Sequence, residues 1–571
     1  MKAVTLQKSL NYKPQVLNFG TSGRRGDVVH LTQLEIYINA LAELEYLLSL
    51  SASEGGIQRG EEFFFAYDLR PSSSMFDKQL GGRGEIAQAI VQAITDAGMK
   101  PVNLGQIPTP ALTYYALQQG KGSIMVTGSH IPFERNGYKV NTAKGEILKK
   151  DEVPINNIVE TVRKRIYNQP LSKSLFNKKG MFTRGHKKLP PETDAARRAY
   201  IERYTHFFNG CNLAGKRLVV YQHSAVGRDI LVEILEQFGA KVIPAGRSGT
   251  FVPIDTENID DAQLSVIRQL VKKAAPKNGR IDALLSTDGD SDRPLIIAVD
   301  NKNDVRFFGG DLVGIVVAEY LGTDAVCVPI SCNDAIDKSA LKNVIQPKTR
   351  IGSPFVIAGM ERARAKGCRR VCGWEANGGF LTGTAIERNG RILRALPTRD
   401  AMLPILCVLF SATEQKLSIS DLFAKLPKRF SKAALLKNFP RATAMKIVNR
   451  FSPPDNRVKE IDFSNNQTRL LDENGKKVLG ETEKYNEIRA ALSKFFGFAN
   501  GFGSIIKLNY TDGVRMCFNN GDVAHVRPSG NADELRIYAV AHTQSRADEI
   551  ARKGVAEPNG ILRSLERSIK D

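Results

Sequence analysis

At 571 residues the chain is too long for one hydrophobic core, and about 100–200 residues per domain predicts three to five domains. A hydrophobic content of 42% and a charged content of 25% exclude a disordered chain, and the absence of a long apolar run or an N-terminal apolar segment argues against a membrane span or signal peptide. The net charge of +21 suits nucleic acid, an anionic membrane surface or small anionic substrates.

In chain order, apolar spacing predicts helices at 34–48 and 86–97, with strands at 63–67 and 123–127. The same grammar returns as strands at 217–221, 282–286, 325–329 and 371–373, and helices at 229–238, 311–320 and 355–365. Short apolar strands separated by helices predict βαβ units and largely parallel sheets. Residues 163–188 hold nine Lys or Arg and no acid, which reads as an exposed interdomain connection. No nucleic-acid motif surrounds that tract, so a solvated basic surface is expected and nucleic-acid binding is not. Beyond 425, strands at 504–508, 514–518, 523–526 and 535–540 and a terminal helix at 545–569 predict an antiparallel α+β domain. The architecture read from this is three α/β domains with mixed, mostly parallel sheets, at 1–187, 188–302 and 303–425, and an α+β domain at 426–571. Seven cysteines form no zinc-type cluster, so reduced and mostly buried thiols are expected.

Five loops offer chemistry. In Thr287-Asp288-Gly289-Asp290-Ser291-Asp292-Arg293 three carboxylates at i, i+2 and i+4 follow a strand, a pattern of hard oxygen ligands suited to magnesium or calcium. The calcium-hand pattern fails, because Arg293 stands where it needs Gly and Val299 where it needs Glu. A polar turn is the alternative. Thr127-Gly128-Ser129-His130-Ile131-Pro132 ends another strand, where an α/β sheet exposes its ligand-binding edge, with Lys139 downstream. A serine hydroxyl needs a base or metal to act as nucleophile, so Ser-His alone also fits an ordinary turn. The glycine-rich segment Phe19-Gly20-Thr21-Ser22-Gly23-Arg24-Arg25-Gly26 leaves backbone N–H groups open and adds two arginines, which suits phosphate or a plain surface loop. Arg527-Pro528-Ser529-Gly530-Asn531 combines a guanidinium, a hydroxyl, a glycine and an amide, as an anion site or a turn. Gly373-Trp374-Glu375-Ala376-Asn377-Gly378-Gly379 offers Glu and Asn to vicinal hydroxyls.

Together and in this order, the loops resemble the α-D-phosphohexomutase superfamily, over residues 17–540. The resemblance implies four domains around a central cleft, each giving one loop. It implies a transferable phosphoryl group on Ser129, with magnesium held by Asp288, Asp290, Asp292 and a phosphoserine oxygen. Arg25, His130, Lys139 and Arg293 would surround the phosphoserine. Glu375 and Asn377 would hold sugar hydroxyls, and Arg527, Ser529, Gly530 and Asn531 the unreactive phosphate. It further implies a hexose 1,6-bisphosphate intermediate and activator, a hexose phosphate substrate and a cytoplasmic enzyme, with monomer or homodimer left open. Four positions depart from the family's usual pattern: Gly128 replaces Ala, Ile131 replaces Asn, Asn377 replaces Ser and Gly379 replaces His. The loop forms are most similar to a bacterial phosphomannomutase branch, which favours mannose phosphate and nucleotide-sugar synthesis. Phosphoglucomutase or dual activity is the alternative, with a metal-dependent phosphatase or a non-catalytic anion-binding protein behind it.

Overall fold

The computed structural model describes residues 4–257, 259–464, 467–530 and 533–569. The chain forms two compact units, one of residues up to 310 together with 377–420, the other of 311–376 and 421 onward.

The first unit holds two mixed sheets. One runs in the order Arg24–Asp27, Arg135–Thr142, Ser123–Val126, Glu62–Tyr67 and Lys100–Asn103. Its last three strands pair in parallel, and the first two join antiparallel. The other runs Lys241–Arg247, Arg217–His223, Ala283–Thr287, Pro294–Val299 and Val305–Phe307, again parallel on one side and antiparallel on the other. The central strands are apolar because both faces are covered: Ile124, Met125, Val126, Leu284 and Leu285 are fully buried. Helix Gln33–Ser49 starts at Thr32, whose side chain accepts from Glu35 N, and packs on helices Ile86–Asp96 and Glu152–Tyr167. In each sheet the change from parallel to antiparallel is a hairpin. Residues 127–134 make one and 288–293 the other, so the serine and acidic loops occupy equivalent places in the two sheets.

The second unit pairs Ala325–Cys327 with Val371–Trp374 in parallel, covered by helix Ser353–Ala365. Its larger sheet has seven antiparallel strands in the order Phe430–Lys437, Glu534–Ala541, Val523–Pro528, Val514–Phe518, Ile505–Asn509, Glu460–Asp462 and Arg469–Leu471. Helices Gln544–Val555 and Arg441–Arg450 pack against it, giving the expected α+β arrangement.

Two expectations are corrected. The basic tract 163–188 is an exposed connection only in part: residues 183–188 are exposed, but the stretch before them is anchored. Helix Glu152–Tyr167 runs into it, and Phe176 and Phe182, 1% and 6% exposed, stack at 5.1 Å inside the first unit's core. Lysines and arginines dominate the count, but the two aromatics decide the placement. The terminal helix is two helices, Gln544–Val555 and Ile561–Arg567, because Pro558 lies between them and cannot continue an N–H ladder. Among the described residues no helix is long and apolar enough to cross a membrane. The seven cysteines are free, and four are buried, in keeping with the expected thiols.

Candidate active site

Ser129 sits at the hairpin turn in left-handed backbone, φ 54°, and is 4% exposed. For a side chain other than Gly or Asn this conformation costs on the order of 1–2 kcal/mol, so its surroundings must hold it. They do so from both sides of the peptide. Ser129 N donates to Thr127 Oγ1 at 2.7 Å, and Arg70 Nη2 donates to Ser129 O at 2.9 Å. The same guanidinium donates to the carbonyls of Ile131 at 2.6 Å, Pro132 at 2.8 Å and Arg135 at 3.0 Å, and lies over the Phe251 ring at 3.8 Å. Asp68 braces Arg70 and accepts from Thr127 Oγ1 at 2.8 Å. A Cβ at residue 128 would stand 2.7 Å from Arg70 Cζ, which is why glycine occupies the place where the family usually has alanine. The result aims Ser129 Oγ at Asp288: it donates to Oδ2 at 2.7 Å, with His130 Nδ1 at 3.4 Å.

The three aspartates are fully buried, and their oxygens converge within 4.8 Å of one another. Asp288 Oδ1 accepts from the backbone N–H groups of Asp292 at 3.1 Å and Arg293 at 3.2 Å. Lys139 Nζ, on the return strand of the serine hairpin, donates to Asp290 Oδ2 and Asp292 Oδ2, both at 2.8 Å. Thr109 Oγ1 donates to Asp290 Oδ2 at 2.6 Å, and Arg399 Nε to Asp292 Oδ2 at 3.0 Å. Arg293 Nε lies 3.5 Å from Asp292 Oδ1 and 3.8 Å from Asp288 Oδ2. The hairpins also touch directly: a Cβ at 289 would lie 2.7 Å from Ser129 O. The environments split the carboxyls. Burial, then repulsion from Asp290 and Asp292, pushes Asp288 well above the usual carboxylate range. Burial also acts to raise Asp290, but the Lys139 ammonium overrides it and holds that group far below the usual range. Asp292 is likewise lowered despite burial, chiefly by Arg399.

Three carboxylates here meet three cations, yet Asp290 Oδ1 and Asp292 Oδ1 are buried without a hydrogen-bond partner. Two oxygens without a hydrogen bond, one of them 3.5 Å from Arg293 Nε, beside a hydroxyl already on the third aspartate, fit a hard divalent cation. A phosphoryl group on Ser129 Oγ would add about −1.5 to −2 charges next to Asp288, which strengthens that demand. Arg25 donates to the carbonyls of Arg24 at 2.7 Å and Tyr138 at 3.1 Å. Burial pulls it down to about 10, with Arg70 and Arg399 acting the same way and Asp290 opposing. The adjacent Arg24 is different. It is 1% exposed, bonded to Glu43 at 2.6 Å and Leu17 O at 2.5 Å, and anchors the loop to the core.

Models of the phosphoglucomutase/phosphomannomutase alpha/beta/alpha domains I, II and III match residues 16–166, 198–302 and 309–430. A phosphomannomutase of Sinorhizobium fredii is 35% identical over 95% of this chain and 99% of its own. The chain belongs to the phosphoglucomutase/phosphomannomutase family. A phosphomannomutase of Salmonella muenchen is also 35% identical, over 94% of each chain. The fold is shared with a family protein of Burkholderia thailandensis, at a TM-score of 0.63 and 16% identity over 98% of both chains. A putative phosphomannomutase of Thermus thermophilus gives 0.61 and 17% over 98% of this chain and 100% of its own.

In the family's remaining loops the described residues are held by contacts within their own units. In the second unit Glu375, 4% exposed, follows strand Val371–Trp374. Trp374 is fully buried and donates from Nε1 to Asp311 O at 3.2 Å, so the chain's one tryptophan anchors the loop. Arg527 Nε lies 3.5 Å from Asp512 Oδ1, and Asp512 Oδ2 accepts from Ile351 N at 3.0 Å. Ser529 is buried and donates from N to Glu534 O at 2.9 Å, while Gly530 is exposed, with its carbonyl 3.4 Å from Arg441 Nη1. Asn531 lies outside the described residues. In the first unit Asn377 Oδ1 accepts from Gly379 N at 3.0 Å and its carbonyl from Thr256 Oγ1 at 2.8 Å, so its side chain shapes its own turn. Sequence reasoning missed Arg70, Thr109 and Arg399. Arg70 had a local sign in the Asp-x-Arg-Pro turn closing strand Glu62–Tyr67, and Arg399 stands in the segment Leu396–Asp400, itself similar to the phosphomannomutase branch but given no role at the site.

Two expectations follow. Arg70→Ala leaves four carbonyls without their shared donor and is expected to cost about 3 kcal/mol or more of stability. By loosening the serine turn it should also lower kcat roughly 10²-fold; thermal melting and steady-state rates check both. His525 is buried beneath Arg527, its Nε2 2.5 Å from Asp512 O, and burial pulls it from 6.5 down to about 4. The folded protein keeps this ring neutral while the unfolded chain takes up a proton, so stability falls as pH drops from 6.5 toward 4. The loss from this ring reaches about 3 kcal/mol; burial also lowers His223 to about 4 and adds to the same window, so His525→Gln should make that part of a pH series of denaturant melts shallower without abolishing it.

Proposed function

We propose that the protein is a phosphomannomutase, interconverting mannose 6-phosphate and mannose 1-phosphate through a phosphoserine at Ser129. The observation that carries this reading is Ser129 Oγ held 2.7 Å from Asp288 in a strained turn against three buried aspartates. Phosphoryl transfer needs positioning and charge neutralisation more than covalent chemistry from the protein. Arg25, Lys139 and Arg293 supply fixed positive charge, and His130 stands beside the reacting oxygen. Magnesium held by Asp288, Asp290 and Asp292 would neutralise charge on the transferring group.

In the forward half-reaction the Oγ–P bond of phosphoserine breaks as the free hydroxyl of the hexose phosphate forms its own O–P bond; that hydroxyl gives up a proton, and Ser129 Oγ takes one up to leave as the free serine hydroxyl. The product is a hexose 1,6-bisphosphate. It turns end for end, and its other phosphate returns to Ser129 Oγ. Either end of the sugar must therefore be gripped when it is not reacting. Arg527, Ser529, Gly530 and Asn531 take that phosphate, and Glu375 and Asn377 the sugar hydroxyls. Remote binding of this kind orients the reacting end. A catalytic amount of hexose 1,6-bisphosphate recharges enzyme that has lost its phosphoryl group. The phosphomannomutase relatives at 35% identity support mannose as the sugar; a cytoplasmic location and a place ahead of nucleotide-sugar synthesis belong to the same proposal.

Mannose 1-phosphate and glucose 1-phosphate, assayed side by side with magnesium and hexose 1,6-bisphosphate, test the sugar. A higher kcat/KM for the mannose compound is expected. Equal or reversed values reject mannose specificity, and phosphate release without isomerisation rejects the mutase.

A further inference from the structure

We infer that Arg399 is a positioning residue for Asp292, and that residue 379 is kept without a side chain so that Arg399 can reach it. This rests on the reading of the three aspartates as a metal site. Arg399 comes from strand Leu396–Asp400, and the strand is fixed from below. The buried Asp400 carboxylate accepts from the Tyr200 hydroxyl at 2.5 Å, from the Tyr204 hydroxyl, and from Met402 N at 3.0 Å. Arg399 is 4% exposed, and its Nε donates to Asp292 Oδ2 at 3.0 Å. Lys139 donates to the same oxygen at 2.8 Å, so both donors crowd onto Oδ2, while Oδ1 keeps no hydrogen bond and faces Arg293 Nε at 3.5 Å. Asp290 repeats the pattern, with Lys139 and Thr109 on Oδ2 and Oδ1 bare. The donors therefore select which oxygen of each carboxylate is left for a cation.

Gly379 makes the approach possible. A Cβ there would lie 2.5 Å from Arg399 Cδ and 2.6 Å from Cγ, inside any real contact distance. Its backbone is not left-handed, so conformation does not demand glycine at this position. Space does. The arginine stem fills the volume a side chain at 379 would take, much as the Arg70 guanidinium fills the space over Gly128. A guanidinium does not exchange protons near neutral pH, which leaves orientation and charge as its means of action.

Titration calorimetry of Mn²⁺ into the unphosphorylated full-length protein separates these two. Partners that orient a ligand cost roughly 10–100-fold in metal affinity when lost, so Arg399→Gln and Gly379→Ala are each expected to weaken binding about tenfold. Because both act through one contact, the double variant should be no weaker than the worse single one. Gly379→Ala keeps the arginine and stands as the test if Arg399→Gln does not fold. Mn²⁺ affinity at or above the parent's in either folded variant would mean Arg399 only balances charge, and overturns the inference. Multiplying losses in the double variant overturn the shared contact. A parent that takes up no Mn²⁺ rejects the metal reading itself, and the inference with it.

Discussion

Ser129→Ala is expected to lower kcat for hexose phosphate isomerisation by roughly 10⁴-fold or more, as loss of an essential nucleophile does. Alanine removes the only atom of that residue able to carry a phosphoryl group. It keeps the turn, because the bonds that hold the left-handed backbone come from Thr127 Oγ1 to the peptide N–H and from Arg70 to the carbonyl. The hydroxyl bond to Asp288 is lost, but that carboxyl still accepts two backbone N–H groups of its own loop. Thermal melting should therefore move little while the rate collapses. A matching fall in both would place the effect in folding rather than in chemistry.

Asp290→Asn is expected to lower kcat roughly 10³-fold, the scale seen when preorganised charge is taken from a developing transition state. Asp290 is the carboxylate most firmly kept ionised, since Lys139 and Thr109 converge on its Oδ2. An amide there removes one ligand oxygen's charge and leaves Lys139 with Asp292 as its one carboxylate partner. The rate should become more dependent on magnesium, and a titration of kcat/KM against Mg²⁺ reads this directly. Asp288→Asn should behave differently in stability. Burial and its two neighbours oppose ionisation of Asp288, so the metal-free variant is expected to melt no lower than the parent although it is equally inactive.

The loops were legible in the sequence because each is a contiguous run, and all but the glycine-rich one at 19–26 follow a strand. Ser129, Lys139 and the three aspartates lie together, a placement that the family resemblance implied and the runs alone left open. What holds them was not legible, because it arrives from far along the chain. Thr109 is 181 residues from Asp290, Arg399 is 107 from Asp292, and Arg70 is 59 from Ser129. Burial of an arginine is also contrary to its usual place on the surface, so nothing in residue type marks Arg70 or Arg399 as internal. Two departures from the family pattern, Gly128 and Gly379, were the available signal. A missing side chain next to a catalytic loop is a volume that another side chain must fill. The sheets held a further lesson. Apolar runs gave the strands, but the return strands Arg135–Thr142 and Pro294–Val299 add an antiparallel hairpin beside the βαβ units of each sheet, and the serine and acidic loops are the turns of those hairpins. The error at 545–569 was avoidable, since Pro558 stands in the segment and breaks it.

The phosphoserine is the centre of the mechanism, and one measurement addresses it directly. The full-length protein is incubated with magnesium and radiolabelled hexose 1,6-bisphosphate, digested, and its labelled peptide sequenced by mass spectrometry. Label is expected on the peptide containing Ser129, to be discharged on addition of unlabelled mannose 6-phosphate, and to be absent from Ser129→Ala. Label on another residue, or label on Ser129 that leaves only as inorganic phosphate, would contradict it.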